Sequence, residues 1–140
     1  REGPTSKELD KKGIKEKVKF VSDLTSDEIA QLYAESTIAV SPSVYEGFGF
    51  PAGEAMSCGI PLVSTNGGSL PEVVGDAGIV VNHSDPCSLY NGIKELLDDE
   101  EKRLKYGKMG RDRVLDKFTW ERAARELVDV YKEAIINANN

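Results

Sequence analysis

Two spacings of apolar residues alternate along the chain. Short, mostly aliphatic runs at Val18–Val21, Thr37–Ser41, Pro61–Thr65 and Gly78–Val81 predict strands. Elsewhere apolar residues recur every three or four positions, the spacing of one helix face. Ile29, Leu32 and Tyr33 form one such stripe, and Leu89, Ile93, Leu96 and Leu97 another. Trp120, Ala123, Leu127, Val130, Tyr131 and Ile135 form a third, predicted to lie mostly in the core but partly uncovered. Boundary residues sharpen these elements. Thr5 with Glu8, Thr25 with Glu28 and Ser69 with Glu72 read as capping boxes. Gly13 and Gly59 read as helix stops, and Pro51 belongs in the first turn of a helix running to Cys58. Asp85-Pro86 starts a helix, a charged helix follows over 100–117, and Thr119 caps the last one.

The order strand, helix, strand, helix, strand, short helix, strand, then helices predicts an α/β fold. Short, nearly continuous apolar strands fit a parallel sheet covered on both faces, the Rossmann-like doubly wound architecture. At 140 residues and 39% hydrophobic content, one folded domain with a real core is expected. No apolar run approaches the roughly 20 residues of a membrane span, and no signal peptide is expected. Residue 1 is Arg, from which we expect a piece of a longer protein. The formal charge of −6 argues against nucleic acid as the main partner and against an anchor on an anionic membrane. A phosphate-bearing ligand then needs a local positive site. Cys58 and Cys87 lack CxxC spacing and His83 is the single histidine, so neither a disulfide framework nor a zinc site is expected. His83 and Cys58 read as a loop residue and a packing residue.

The chemistry-bearing segment is Ser41–Gly59, SPSVYEGFGFPAGEAMSCG. A strand ends, a glycine-punctuated loop crosses, and a helix begins. Ligands of doubly wound sheets bind beyond the carboxyl ends of strands, and a helix N-terminus attracts phosphate through unpaired N–H groups. The amides of Phe50, Ala52 and Gly53 are the predicted donors, since Pro51 has none. Gly47 and Gly49 allow close approach and unusual dihedrals. Glu46 and Glu54 would be repelled by a diphosphate, so they are better read as acceptors for sugar hydroxyls. Taken singly, the glycines could form an ordinary turn and the glutamates a solvated surface. Their weight lies in occurring together at a strand-to-helix junction.

The run Ser41–Met56 resembles the donor-site signature of retaining GT-B glycosyltransferases, glycosyltransferase family 4. The likeness continues through Cys58–Thr65, Gly67-Gly68, Leu70–Val74 and Gly78–Val81. The resemblance implies two Rossmann-like domains facing a cleft, with this chain the C-terminal, nucleotide-sugar-binding one. It implies that Glu46 meets donor-sugar hydroxyls as the catalytic-site acid. Gly47, Phe48, Gly49 and Phe50 would line sugar and phosphate, and Glu54 would hold the ribose. It also implies glycosyl transfer to an acceptor hydroxyl with retention and no metal or other cofactor. The acceptor, a polysaccharide, lipid-linked or small molecule, would bind the other domain. Cytoplasmic location is expected, with the full-length protein at the inner membrane face as a variant. The family's diphosphate-clamping Arg and Lys have no match in Arg1 or Lys7, so the chain alone is expected to bind donor weakly and not to turn it over. Without the domain's first two strands, Val18–Val21 would be parted from Thr37–Ser41, leaving a gap, a rearranged sheet, or an edge open to a dimer partner. A GT-B sugar-nucleotide epimerase and a non-catalytic binding module are the alternatives.

Overall fold

The computed structural model describes residues 3–138. Arg1, which matches no position of the family's diphosphate clamp, lies outside them. Seven α-helices and three strands follow one another: α1 (Pro4–Lys11), α2 (Ser26–Ala34), β1 (Ala39–Ser41), α3 (Phe50–Ser57), β2 (Leu62–Thr65), α4 (Leu70–Val74), β3 (Ile79–Val81), α5 (Pro86–Asp98), α6 (Glu100–Lys117) and α7 (Trp120–Ala138). The strands form one parallel sheet in the order β1-β2-β3, with Ala39 opposite Leu62 and Val63 opposite Ile79.

β2 is buried at all four positions, which explains why its sequence shows no polar alternation. One face of the sheet packs Leu62 against Ala52 and Met56 of α3, Leu70 and Val74 of α4, and Ala77. Met109 and Val114 of α6 close over this cluster. On the other face Gly92 lets α5 lie directly on Val63, Ile79 and Val81. Helices therefore cover both faces, as the doubly wound reading requires.

Val18–Val21 is not a strand. Val18 has extended dihedrals, but no ladder partner reaches the segment among the described residues, and Phe20 stands 60% exposed. Apolar content alone does not make a strand; cross-strand hydrogen bonds do. β1 is accordingly an edge strand among the described residues. Its outer side borders a groove lined by Leu32, Tyr33, Ile38 and Pro51.

Helix ends follow the sequence in most places. Thr25 and Glu28 form a complete capping box, and Asp85, Asp99 and Thr119 cap α5, α6 and α7. Gly13 and Gly59 adopt positive φ beyond α1 and α3. Ile14 and Ile60 then return their amides to Leu9 and Ala55, the six-to-one closure of a Schellman motif. The Thr5–Glu8 box does not form, because Pro4 opens α1 two residues before a Thr5 cap would allow and Gly3 takes the cap position.

α6 fixes three other helices by their C-terminal carbonyls. Arg103 donates to Leu96 and Leu97 at the end of α5, and Arg111 to Ser57 at the end of α3. Arg113 donates to Glu72 and Val73 at the end of α4. Each guanidinium meets carbonyls that no intrahelical N–H can reach and opposes the negative end of the helix dipole. Gly107 lets α6 approach the turn after α3: a Cβ there would lie 2.3 Å from the Gly59 carbonyl oxygen. Gly107→Ala is expected to destabilise the fold by about 2 kcal/mol, read as a lower denaturation midpoint, because helix propensity gives back only part of the overpacking cost.

α7 has no buried residue. Trp120, expected to be largely core, is 88% exposed. The apolar stripe was read correctly as a helix face, but the described residues do not cover it.

Candidate functional site

β1 ends at Ser41, and loop 42–49 carries the chain into α3. Loop 66–69 leaves the neighbouring end of β2 and enters α4. Both loops lie beyond carboxyl ends of parallel strands, where open α/β sheets place their ligands. They are bound to each other. The Thr65 hydroxyl donates to the Ser43 carbonyl. Ser69 donates twice to the Glu46 carbonyl, from its backbone N–H and its hydroxyl, each at 3.1 Å. The Ser69–Glu72 capping box expected from the sequence is absent, because this hydroxyl is committed to Glu46 instead.

Such proximity excludes side chains. A Cβ on Gly68 would lie 2.2 Å from the Glu46 carbonyl oxygen, and one on Gly67 would lie 2.5 Å from that of Val44. The sequence reading placed both glycines in a loop and gave them no role. At Gly67 the requirement is set by a segment some twenty residues away, which no local signal announces; at Gly68 a φ of +62° adds to the same close approach.

Glu46 is half-buried. Its Oε1 accepts a hydrogen bond from the Ser43 hydroxyl at 2.7 Å. Gly49 caps α3 with φ at +93°, and a Cβ there would lie 2.7 Å from Leu70 Cδ2. Glycine is therefore required at 49 by both dihedral and space. At Gly47 the expectation of an unusual dihedral fails: φ is not positive, and a Cβ would meet nothing within 4 Å.

The predicted amide donors also shift. Ala52 and Gly53 both donate to the Gly49 carbonyl, at 3.0 and 3.1 Å. They are consumed by the first turn of the helix. The N–H groups of Gly47, Phe48, Gly49 and Phe50 make no hydrogen bond among the described residues. These four unpaired donors, the last of an unbonded run that starts at Ser43, lead from the loop into the positive end of α3.

Glu54 is exposed, one turn into α3. It lines a groove of about 150 Å³ between α2 and α3 with Ile29, Tyr33, Ser57 and Cys58. Tyr33 donates its hydroxyl to the Pro51 carbonyl at 3.2 Å, which ties α2 to the first turn of α3. Burial, and then the neighbouring Glu54 and Cys58, push the Tyr33 phenol above its ordinary pKa. Cys58, expected to pack in the core, is only half-buried at this groove. Glu46 does not line the groove, so the two acids flank the start of α3 rather than share one cavity.

The aromatic side chains of the loop face a third region. Phe48 and Phe50 lie 5.0 Å apart by ring centroid, and Phe48 meets Phe118 edge-on at 5.6 Å. With Trp120 and Lys117 they line an open cavity of about 320 Å³. Backbone and side chain of residues 48 and 50 therefore serve different surfaces. His83 sits after β3, with its backbone N–H bonded to Asn66 and its ring beside the Ser84 hydroxyl.

Comparison with known proteins follows the same outline. The chain is 40% identical over 136 residues to an MMP alpha-(1->4)-mannosyltransferase of Mycolicibacterium hassiacum, covering 95% of this chain and 33% of that protein. The sucrose-phosphate synthase of Thermosynechococcus elongatus superposes with a TM-score of 0.85 at 30% identity, over 95% of this chain and 34% of that one. Anabaena Alr3699/HepE superposes at 0.84 and 22% identity, over 92% of this chain and 36% of that one, a likeness of fold. The chain spans about a third of the length of these proteins. The family Glycosyl transferases group 1 matches residues 2–113, which takes in the sheet, both loops and most of α6, and the chain belongs to it.

Proposed function

We propose that this chain is the nucleotide-sugar-binding half of a retaining glycosyltransferase of family 4. The observation that carries the reading is the row of unpaired amides at Gly47–Phe50 beside the half-buried carboxylate of Glu46. The amides and the helix terminus stabilise the negative charge that grows on the departing diphosphate, in place of a metal. Glu46 accepts hydrogen bonds from hydroxyls of the transferred sugar. Glu54 accepts the ribose hydroxyls from the α2–α3 groove. In the reaction the bond from the anomeric carbon to the diphosphate oxygen breaks, and a bond to the acceptor oxygen forms on the same face. The acceptor proton leaves with the diphosphate. Family membership supports transferase chemistry, and Alr3699/HepE, a protein of the same fold, is described in complex with UDP.

The rest of the proposal lies outside the described residues. A second Rossmann-like domain supplies the acceptor site, and its acceptor is a polysaccharide, a lipid-linked sugar or a small molecule. The cytoplasm is the proposed location, at or near the inner membrane face; no described helix is long and apolar enough to cross a membrane. A dimer paired along the outer edge of β1 belongs to the same reading. Against the epimerase alternative, the one histidine of this chain follows β3 and lines neither the Glu54 groove nor the Phe48–Phe50 cavity.

Calorimetric titration of the full-length protein with UDP-glucose, GDP-mannose and ADP-glucose tests the function directly. One of the three is expected to bind, and binding of none would remove the reading. Glu54→Ala is expected to weaken the matching nucleoside diphosphate about tenfold, the loss of a charge-assisted hydrogen-bond acceptor. Unchanged affinity would remove the ribose role from Glu54.

A further inference from the structure

We propose that Ser43 is a positioning residue that aims the Glu46 carboxylate at the donor sugar. The inference rests on the nucleotide-sugar reading of this site and adds a residue to it.

Ser43 and Glu46 belong to one loop, yet their contact is not a free surface turn. The Ser43 carbonyl is held by the Thr65 hydroxyl at the end of β2. The Glu46 carbonyl is held twice by Ser69. The two backbone anchors fix both ends of the segment 43–46 against loop 66–69. Within that frame the Ser43 hydroxyl donates to Glu46 Oε1 at 2.7 Å, in a partly buried setting. A carboxylate offers about four lone-pair positions, and this bond occupies one on Oε1. Oε2 accepts no hydrogen bond among the described residues. A glutamate side chain otherwise holds considerable rotamer freedom, and restricting it beforehand lowers the entropy lost when a ligand is gripped. The role proposed for Ser43 is exerted through Glu46 and not on the ligand itself.

The position of Ser43 also explains its residue type. The hydroxyl must both reach a carboxylate three residues ahead and leave its own carbonyl free for Thr65. Alanine preserves the backbone anchor and deletes only the aiming bond. Threonine preserves both.

The test compares affinity for a nucleotide sugar with affinity for its nucleoside diphosphate, using whichever of UDP-glucose, GDP-mannose and ADP-glucose binds tightest. Ser43→Ala is expected to weaken the nucleotide sugar about tenfold and to leave the nucleoside diphosphate within about twofold. Ser43→Thr is expected to restore the wild-type ratio. A uniform loss for both ligands would assign Ser43 to loop stability alone, and no loss for either would assign it nothing; both overturn the proposal. Glu46→Gln separates the two levels of argument. If Glu46→Gln loses sugar affinity while Ser43→Ala does not, the positioning role fails and the site reading stands. If Glu46→Gln loses nothing, the site reading itself fails.

Discussion

Gly68→Ala is expected to cost about 3 kcal/mol of stability and to remove nucleotide-sugar binding with it. Two terms add. The backbone at Gly68 has φ at +62°, which for an L-residue costs about 1–2 kcal/mol. The new Cβ would also stand 2.2 Å from the Glu46 carbonyl oxygen and 2.8 Å from the Glu46 nitrogen. Those are backbone atoms, so no rotamer change relieves the clash, and overpacking of this kind costs about 1–3 kcal/mol. For a domain of this size the sum lowers the unfolding midpoint by about 10 °C. The functional loss follows from which atoms are displaced. Moving Glu46 breaks its two bonds from Ser69 and shifts the unpaired amides of Gly47–Phe50 that follow it. Gly13 supplies the control, because its φ is +64° and a Cβ there meets nothing within 4 Å. Gly13→Ala therefore reads the dihedral cost by itself, about 1 kcal/mol. Equal losses for the two variants in thermal unfolding would show that close approach contributes nothing at Gly68.

This contrast also marks what could be read from the sequence and what could not. The helices, three of the four strands, and the strand-loop-helix junction at 41–59 were legible because each is governed by spacing or by a residue's own dihedral preference. Gly49 belongs to that class: it caps a helix and carries positive φ. The failures share another cause. Val18–Val21 has the composition of a strand and lacks a partner to pair with. Ser69 has the spacing of a cap and bonds Glu46. Ala52 and Gly53 sit at a helix start and are consumed by the Gly49 carbonyl. In each case a tertiary or neighbouring acceptor competed with the local preference and won. Gly67 is the same effect in reverse, a glycine whose need arises from the loop it touches, and at Gly68 that contact adds to a positive φ. The placement of Glu46 and Glu54 on two surfaces at the start of α3 needed coordinates.

Arg113→Ala is expected to destabilise the protein by about 3 kcal/mol, although the residue lies away from the amide row. Its guanidinium donates to the Val73 carbonyl at 2.8 Å and to the Glu72 carbonyl at 2.6 Å. It also lies 5.9 Å from the Phe118 ring centroid. Hydrogen bonds from a charged donor are worth about 1.5–3 kcal/mol each, and the ring contact adds about 0.5–1 kcal/mol. Rehydration of the α4 carbonyls offsets part of that total. The nearby Asp76 does not explain the effect: its side chain is 87% exposed and 4.0 Å away, and such pairs contribute at most about 1 kcal/mol. Two measurements divide these causes. Asp76→Ala should leave the chemical denaturation midpoint nearly unchanged, and added salt should not reproduce the Arg113→Ala loss. Arg113→Lys should recover no more than about half of it, because a single ammonium cannot span two carbonyls and stack on a ring. Gly75 leaves the space the guanidinium fills, since a Cβ there would lie 2.6 Å from Arg113 Cζ. Phe118 in turn packs on Phe48, so loosening Arg113 should also broaden the loop that carries the unpaired amides. If Arg113→Lys matches wild type in unfolding, charge near α4 is what matters, and the two-carbonyl grip does not hold this corner together.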